Sequence, residues 1–248
     1  MLSTLATDAL RRSQLYRRHM AMDATFTTLG DSVVVSHYAS EDETKQAQHL
    51  GLADLSTLPR TGFKGLGTPD WALDLGIELP ARPNRALLQS DGTLVARLSQ
   101  SELLLASNLN GLSESIANAT QAELAERVYS LPRSDSHSWL VLCGSQAAET
   151  LAKVCGVDLR PHKFADGEIA QTSIAKINGV IVRNDLGETL SYCIFSDSSS
   201  VEFLWDSLLD AMAEFEGAAV GIQALRDGHH GYTPANGIPA LREAVAAD

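Results

Sequence analysis

The sequence predicts an α+β chain built as two related halves that share one compact unit. Three observations carry this: an internal echo, period-two apolar alternation at several places, and apolar stripes at helical spacing elsewhere. In the echo, Gly67-Thr68 opens a stretch through Trp71, Ala72, Leu73 and Leu75 to Gly76-Ile77-Glu78-Leu79-Pro80. Gly144-Ser145 opens a second, through Ala147, Ala148, Leu151 and Val154 to Gly156-Val157-Asp158-Leu159. Each copy follows a candidate strand (residues 61–64 and 139–143). Each then offers a glycine, a hydroxyl N-cap, an apolar helix face and a glycine stop. The reading is two pseudo-repeated β-α-β halves, with Leu73 and Leu151 on equivalent inward helix faces.

The remaining elements follow in order. Residues 2–20 read as an amphipathic helix with Leu2, Leu5, Ala9 and Leu10 on one side. Residues 25–35 are β-branched and broken at Leu29-Gly30-Asp31, which suits two strands and a turn. Residues 41–50 form a short polar helix stopped by Gly51. Leu87-Leu88, residues 94–98 and residues 103–106 read as three strands, with turns at Ser90-Asp91-Gly92 and Ser99-Gln100-Ser101. The Ala-rich stretch 111–129 reads as a helix capped by Ser113. Residues 168–176 alternate as a strand. Residues 180–182 and 191–195 continue the sheet around an Asn184-Asp185-Leu186-Gly187 turn. Ser200 opens a long helix through Phe203, Leu204, Leu208, Ala211 and Phe215. From Gly228 the chain is rich in Gly, Pro and His and ends in a short Ala-rich helix.

Composition narrows the function classes. The 248 residues are 44% hydrophobic and 20% charged, enough for a core without staples. With 31 acidic and 19 basic residues the net charge is −12, which disfavours a polyanion, so no nucleic-acid partner is expected. Three cysteines without CxxC spacing fit a reduced, cytoplasmic protein. The N-terminal charges come late, at Arg11, Arg12, Arg17 and Arg18, the reverse of a signal peptide. The apolar runs are too short for a membrane span, so no membrane partner is expected either.

The search for chemistry yields little. Gly62, Gly65 and Gly67 lack both the GxGxxG order and the Walker lysine-hydroxyl pair, and read as a strand-to-helix turn. His229-His230 beside Tyr232 would need a third ligand such as Asp227, because adjacent side chains diverge, so no metal site is expected. His19, His37, His49, His137 and His162 are scattered. Gly144-Ser145 is not a GxSxG elbow, and Cys143 and Cys193 sit in apolar strands as core residues. Two carboxylates stand out as weak cofactor-binding candidates. Asp54 is polar inside the apolar run 51–56, where a loop-capping role is the simpler reading. Glu188 follows Gly187 in a turn, where a solvated hairpin residue is the default. No catalytic residue is identified.

Several segments resemble a known family, in its order. Leu15-Tyr16-Arg17-Arg18-His19 resembles the LYxxH opening of the glycine-cleavage aminomethyltransferase (T-protein) family. Residues 50–56 are similar to its AGLFDVSH segment, residues 139–148 to its apolar strand followed by GPxA, and Leu225-Arg226-Asp227-Gly228 to the end of its RLEAG segment. The second half resembles the gamma subunit of heterotetrameric sarcosine oxidase. Asp158-Leu159-Arg160-Pro161, Phe164, Gly167, Ala170-Gln171-Thr172 and Ala175 match its "DLxP…F…G…AQT…A" run, and residues 203–215 its late helix. The resemblance implies a T-protein-like folate-binding-domain fold, with residues 1–130 as its first half, 131–227 as its sarcosine-oxidase-gamma-like second half and 228–248 as a tail. The family's C-terminal barrel would begin where this sequence stops.

The departures from the family are informative. T-proteins carry a GGIxDD strand whose first Asp is catalytic; here the segment reads Asp91-Gly92-Thr93-Leu94-Val95-Ala96-Arg97. Their GYTGEDGFE hairpin supplies a pterin-contacting Glu, where this chain has Cys193; Glu188 matches an earlier glutamate of that turn. Gln223 stands where their GARD segment has Arg. The KGCYxGQE motif of the iron–sulfur repair branch is missing. The resemblance therefore implies a non-catalytic, gamma-like subunit of a flavin-dependent sarcosine-oxidase-type complex that demethylates N-methyl amines. FAD or FMN would sit on flavoprotein partner subunits, and tetrahydrofolate is the one cofactor this chain itself could hold. The alternatives are a stand-alone tetrahydrofolate-dependent aminomethyl or methyltransferase, and a folate-like ligand-binding module without chemistry.

Overall fold

A computed structural model describes residues 10–39 and 42–228. The first part of the expected N-terminal helix and the tail with His229, His230 and Tyr232 lie outside the described residues. In chain order the elements are α1 (Tyr16–Ala21), β1 (Thr25–Leu29), β2 (Ser32–His37), α2 (Glu43–Leu50), β3 (Gly51–Asp54), β4 (Arg60–Lys64) and α3 (Thr68–Asp74). They continue with β5 (Arg85–Leu88), β6 (Leu94–Ser99), β7 (Glu102–Ala106), α4 (Glu114–Gln121), β8 (Tyr129–Ser130), α5 (Arg133–Ser136), β9 (His137–Cys143) and α6 (Ala147–Val154). The last are β10 (Ile169–Ile174), β11 (Ile177–Arg183), β12 (Ser191–Asp197), α7 (Val201–Met212), β13 (Ala218–Ala219) and α8 (Ile222–Gly228).

Two sheets pack face to face, each covered on its outer face by helices. The six-stranded sheet runs β10-β11-β12-β9-β3-β13 and the five-stranded sheet β5-β6-β7-β4-β8, while β1 and β2 form a separate hairpin. Alternation assigns the faces. Leu140, Leu142, Tyr192 and Ile194 turn to one side and share a core with Leu151 of α6 and Leu204, Trp205 and Leu208 of α7. Trp139, Val141, Cys193 and Phe195 turn the other way, into an inter-sheet core with Leu94, Ala96, Leu98 and Leu104. Val95, Leu103 and Leu105 close a third core with Trp71, Ala72, Ile116 and Ala119. Strands buried on both faces read as unbroken apolar runs, as 139–143 and 103–106 do. Each fully buried Leu contributes about 1.5–3 kcal/mol.

The internal repeat is real. Both sheets contain the same unit: a strand (β4 or β9), a helix (α3 or α6), then a three-stranded meander that returns beside the first strand. The edge strands of the two units meet where Ala86 N donates to Gly167 O (2.7 Å) and Ile169 N to Asn84 O (3.1 Å). Its register differs from the one read in the sequence. The positive-φ glycines that turn each strand into its helix are Gly65 (+133°) and Gly144 (+107°). Their N–H groups donate to Ser101 O and Leu190 O, each at 2.8 Å, in the meander alongside. Pairing these two glycines places Ala72, not Leu73, opposite Leu151. Ala72 and Leu151 are both 0% exposed, whereas Leu73 is 54% exposed. The expectation that Leu73 faces inward is thus corrected: the position opposite Leu151 is Ala72, one residue earlier.

Two helices are shorter than their composition suggests. The N-terminal helix begins at Tyr16 because Ser13 folds back: its Oγ accepts from Leu15 N (3.1 Å) and its carbonyl from Tyr16 N (3.1 Å). Helix α4 keeps the expected cap, Ser113 Oγ accepting from Ile116 N at 2.8 Å, but stops at Gln121. Beyond it the chain runs flat against the β4–α3 turn. A Cβ on Gly65 would lie 1.9 Å from Arg127 O, and one on Gly67 2.4 Å from Glu126 O. That close backbone approach explains both glycines without any phosphate.

Candidate functional site

Asp54 ends β3, the short strand hidden in the apolar run 51–56, and is 7% exposed. One carboxylate oxygen accepts from Ser56 N (2.9 Å) and holds the following loop. The other accepts from Ser13 Oγ and from His19 Nε2 (2.9 Å). His19 Nδ1 meets the Tyr38 hydroxyl at 2.8 Å, and the imidazole packs edge-on against Trp205 with centroids 5.1 Å apart. A single tautomer satisfies this chain: Nε2–H donates to Asp54, and Nδ1 accepts from Tyr38. The two segments that resemble LYxxH and AGLFDVSH therefore meet through the His19–Asp54 bond.

Burial pushes the Asp54 carboxyl up, but the hydrogen bond and electrostatic interaction with the His19 imidazole, with side-chain hydrogen bonds from Ser13 and Ser56, outweigh it and hold it below its ordinary value. Tyr38 is pushed well above the usual phenol range by burial and then by the charges of Asp54 and Glu43. The order of the chain decides what it can do. A hydrolytic triad places the imidazole between hydroxyl and carboxylate. Here the carboxylate sits between them, so Ser13 bonds to Asp54 and has no imidazole beside it. The network ties α1 to β3, to the end of β2 and to α7. Glu43 adds a second tie: its carboxylate accepts from Tyr38 N and from Gly221 N (2.7 Å).

The other singled-out residues lie apart from this cluster. Glu188 is exposed at a hairpin tip whose flanking Leu186 and Thr189 exchange backbone bonds. Gln223 is exposed on α8, where its amide donates to Asp227 (2.7 Å). Cys193 (3% exposed) and Ala96 (0%) are both in the inter-sheet core. Burial raises the thiols of Cys143 and Cys193 to about 12, so neither is a nucleophile at neutral pH. Among the described residues no three His, Cys, Asp or Glu side chains converge. Gln171, Ser173, Asn178, Ser196 and His137 line an open groove of about 430 Å³ at the rim of the inter-sheet core. Burial, then Arg133 and Arg60, lowers His137 to about 4, so it is neutral there at pH 7. The groove walls offer neutral hydrogen-bonding groups without a carboxylate.

The sequence pointed to Asp54 but not to its partners. Ser13, His19 and Tyr38 lie far from it along the chain; only His19 carried a signal, as the histidine of the LYxxH-like segment, and that did not show that it pairs with Asp54.

Comparison with known proteins gives the family. The model of the GCVT N-terminal domain family matches residues 84–227, more than half of the chain. This chain belongs to the GCVT N-terminal domain family. A solved relative with the same fold is a chain of the heterotetrameric sarcosine oxidase from Corynebacterium sp. U-96, a structure in complex with pyrrole 2-carboxylate. It is 27% identical, has a TM-score of 0.60, and the match covers 84% of this GCVT-type chain and 98% of that one. The glycine cleavage system aminomethyltransferase T from Bartonella henselae shares the fold at 18% identity and a TM-score of 0.65. That match covers 89% of this chain and 62% of the aminomethyltransferase, so this chain spans less than two thirds of its length. A search of curated protein sequences returns no match.

Proposed function

We propose that this GCVT-type chain is a non-catalytic, gamma-like subunit of a flavin-dependent sarcosine-oxidase-type assembly, in which partner subunits carry the flavin and oxidise an N-methyl amine. The observation that carries the reading is the end-to-end match to one chain of the heterotetrameric sarcosine oxidase, 98% of that chain at 27% identity. The inter-sheet core supports it. The positions that resemble the catalytic Asp strand and the pterin-contacting Glu of T-proteins lie at Leu94–Arg97 in β6 and at Cys193. Leu94 and Ala96 turn, with Cys193, into packed apolar surface. A pterin edge buried there would leave donors unsatisfied at about 1–3 kcal/mol each.

A second reading, a folate-like ligand-binding module, draws on the groove lined by Gln171, Asn178 and Ser196, whose volume is within the usual small-ligand range. Calorimetry of the full chain with tetrahydrofolate separates the two. The subunit reading expects no binding at micromolar protein. A dissociation constant below about 10 μM, roughly −7 kcal/mol, contradicts it and favours the ligand-binding module or a divergent tetrahydrofolate-dependent transferase.

A further inference from the structure

Four arginines crowd the start of the described chain, in a protein of net charge −12. Two of them are used internally. Arg11 pairs with Asp135 (3.0 Å), and Arg18 clamps α1 to α7 through Glu202 and Asp206, each at 2.7 Å. The other two have no carboxylate partner among the described residues. Arg12 lays its guanidinium over the Tyr16 ring, 4.1 Å from the centroid. Arg17 holds the opposite end of the same side chain: its Nε donates to the Tyr16 hydroxyl at 2.8 Å, with its guanidinium carbon 5.5 Å from the centroid. Both arginines are exposed. Met20, one helical turn on from Tyr16, is 53% exposed. The opposite side of α1 is occupied: Leu15 and His19 are buried against α7 and Asp54.

This placement has a physical consequence. Two like charges anchored on one ring lie within about a Debye length of each other, and no carboxylate among the described residues pairs with them. Stacking and the phenol hydrogen bond pre-order both forks, so less freedom is lost when a carboxylate arrives. Tyr, Arg and Met are also the residue types enriched in protein interfaces.

We propose that the patch formed by Arg12, just before α1, with Tyr16, Arg17 and Met20 of α1, is a docking surface for a carboxylate-bearing segment of a partner protein. Charge complementarity selects the occupant. Two free cations are too few for stable hold on nucleic acid, and polybasic membrane patches use four to eight, while the rest of this acidic chain repels both. An acidic protein segment needs a local pair of forks, which the Tyr16 platform supplies. The proposal rests on the subunit reading for the existence of a partner, but its test does not require that partner.

The probe is a fluorescein-labelled octaglutamate peptide, titrated by anisotropy with the full chain at low salt. The doubly substituted Arg12→Gln/Arg17→Gln chain is expected to bind at least tenfold more weakly. Tyr16→Ala, which keeps both charges and removes their platform, is expected to lose at least threefold. Arg82→Gln/Lys176→Gln, which removes two other exposed cations without carboxylate partners, is expected to stay within twofold of the parent. Three results would overturn the proposal: no peptide binding by the parent chain; equal loss in both double variants, which marks a generic charge effect; or equally tight, Arg12/Arg17-dependent binding of duplex DNA or phosphatidylserine vesicles. Failure here with tetrahydrofolate still unbound would remove the surface and leave the subunit reading standing.

Discussion

Asp54 shows how one buried carboxylate sets the pH response of a region. Its pKa is depressed in the folded chain, so the unfolded chain takes up the proton first as pH falls. The stabilisation is fully present above the ordinary Asp value near 4, and is lost as pH drops through the lower folded value. Replacing Asp54 by Asn keeps the shape but removes the charge facing His19. The expected cost is about 1–3 kcal/mol at neutral pH, with a flatter loss of stability below pH 4, both read from denaturant titrations over a pH series. An unchanged midpoint and an unchanged acid limb would mean that the network contributes no net stability. The buried cysteines give a second residue-scale test. With thiols raised to about 12, Cys143 and Cys193 should resist iodoacetamide in the native chain at pH 8 and react only on unfolding. Sequence reading found Asp54 because a charge inside an apolar run is conspicuous. It missed Ser13 and the pairing with His19, 41 and 35 positions away: His19 stands out only as the end of the LYxxH-like segment, and nothing local says which side chain the fold brings to it.

At the scale of elements, the repeat was legible and its register was not. The sequence shows two strand–glycine–helix units, but Gly65 and Gly67 look alike there, and matching each glycine followed by a hydroxyl pairs the wrong one with Gly144. What decides is which glycine adopts positive φ, and that depends on a carbonyl from distant chain: Arg127 O against Gly65, His49 O against Gly144. The corrected register predicts unequal costs. Leu151→Ala should cost about 2–5 kcal/mol and Leu73→Ala should fall within about 0.5 kcal/mol of the parent, both by chemical denaturation. Equal costs would restore the original register. Gly144→Ala should destabilise strongly, since its Cβ would sit 2.4 Å from the His49 carbonyl. The hairpin between β10 and β11 makes the converse point. Ala175 (φ +47°) and Lys176 (φ +68°) form a two-residue turn with both residues left-handed, a conformation that glycine and asparagine adopt more readily. Lys176→Gly should therefore raise stability by about 1 kcal/mol. A loss instead would show that the lysine side chain holds the turn.

For the molecule as a whole, periodicity was enough to read most strands and helices of the two halves, because almost every core strand is an apolar run with a clear turn at each end; that each half forms its own sheet, with helices on the outer faces, came only from the structure. Short elements escaped it. Strand β3 has four residues and β8 and β13 have two each, too few for any period to show. Yet β3, with Leu52 and Ala53 buried, joins the N-terminal region to the six-stranded sheet beside β9. The chemistry was legible mainly as departures from the T-protein pattern, and packing agrees with them: in the segment that resembles the acidic strand and at the pterin-contacting position, Leu94, Ala96 and Cys193 are packed in an apolar core. The central claim is that the chain works as one part of a larger oxidase. The most direct measurement is purification of the tagged full chain from its native cell, with subunit stoichiometry, flavin content and sarcosine oxidation measured on the recovered material. The account predicts a stoichiometric complex in which flavin and oxidase activity travel with the chain although the isolated chain has neither. A chain recovered alone that turns over tetrahydrofolate by itself would contradict it.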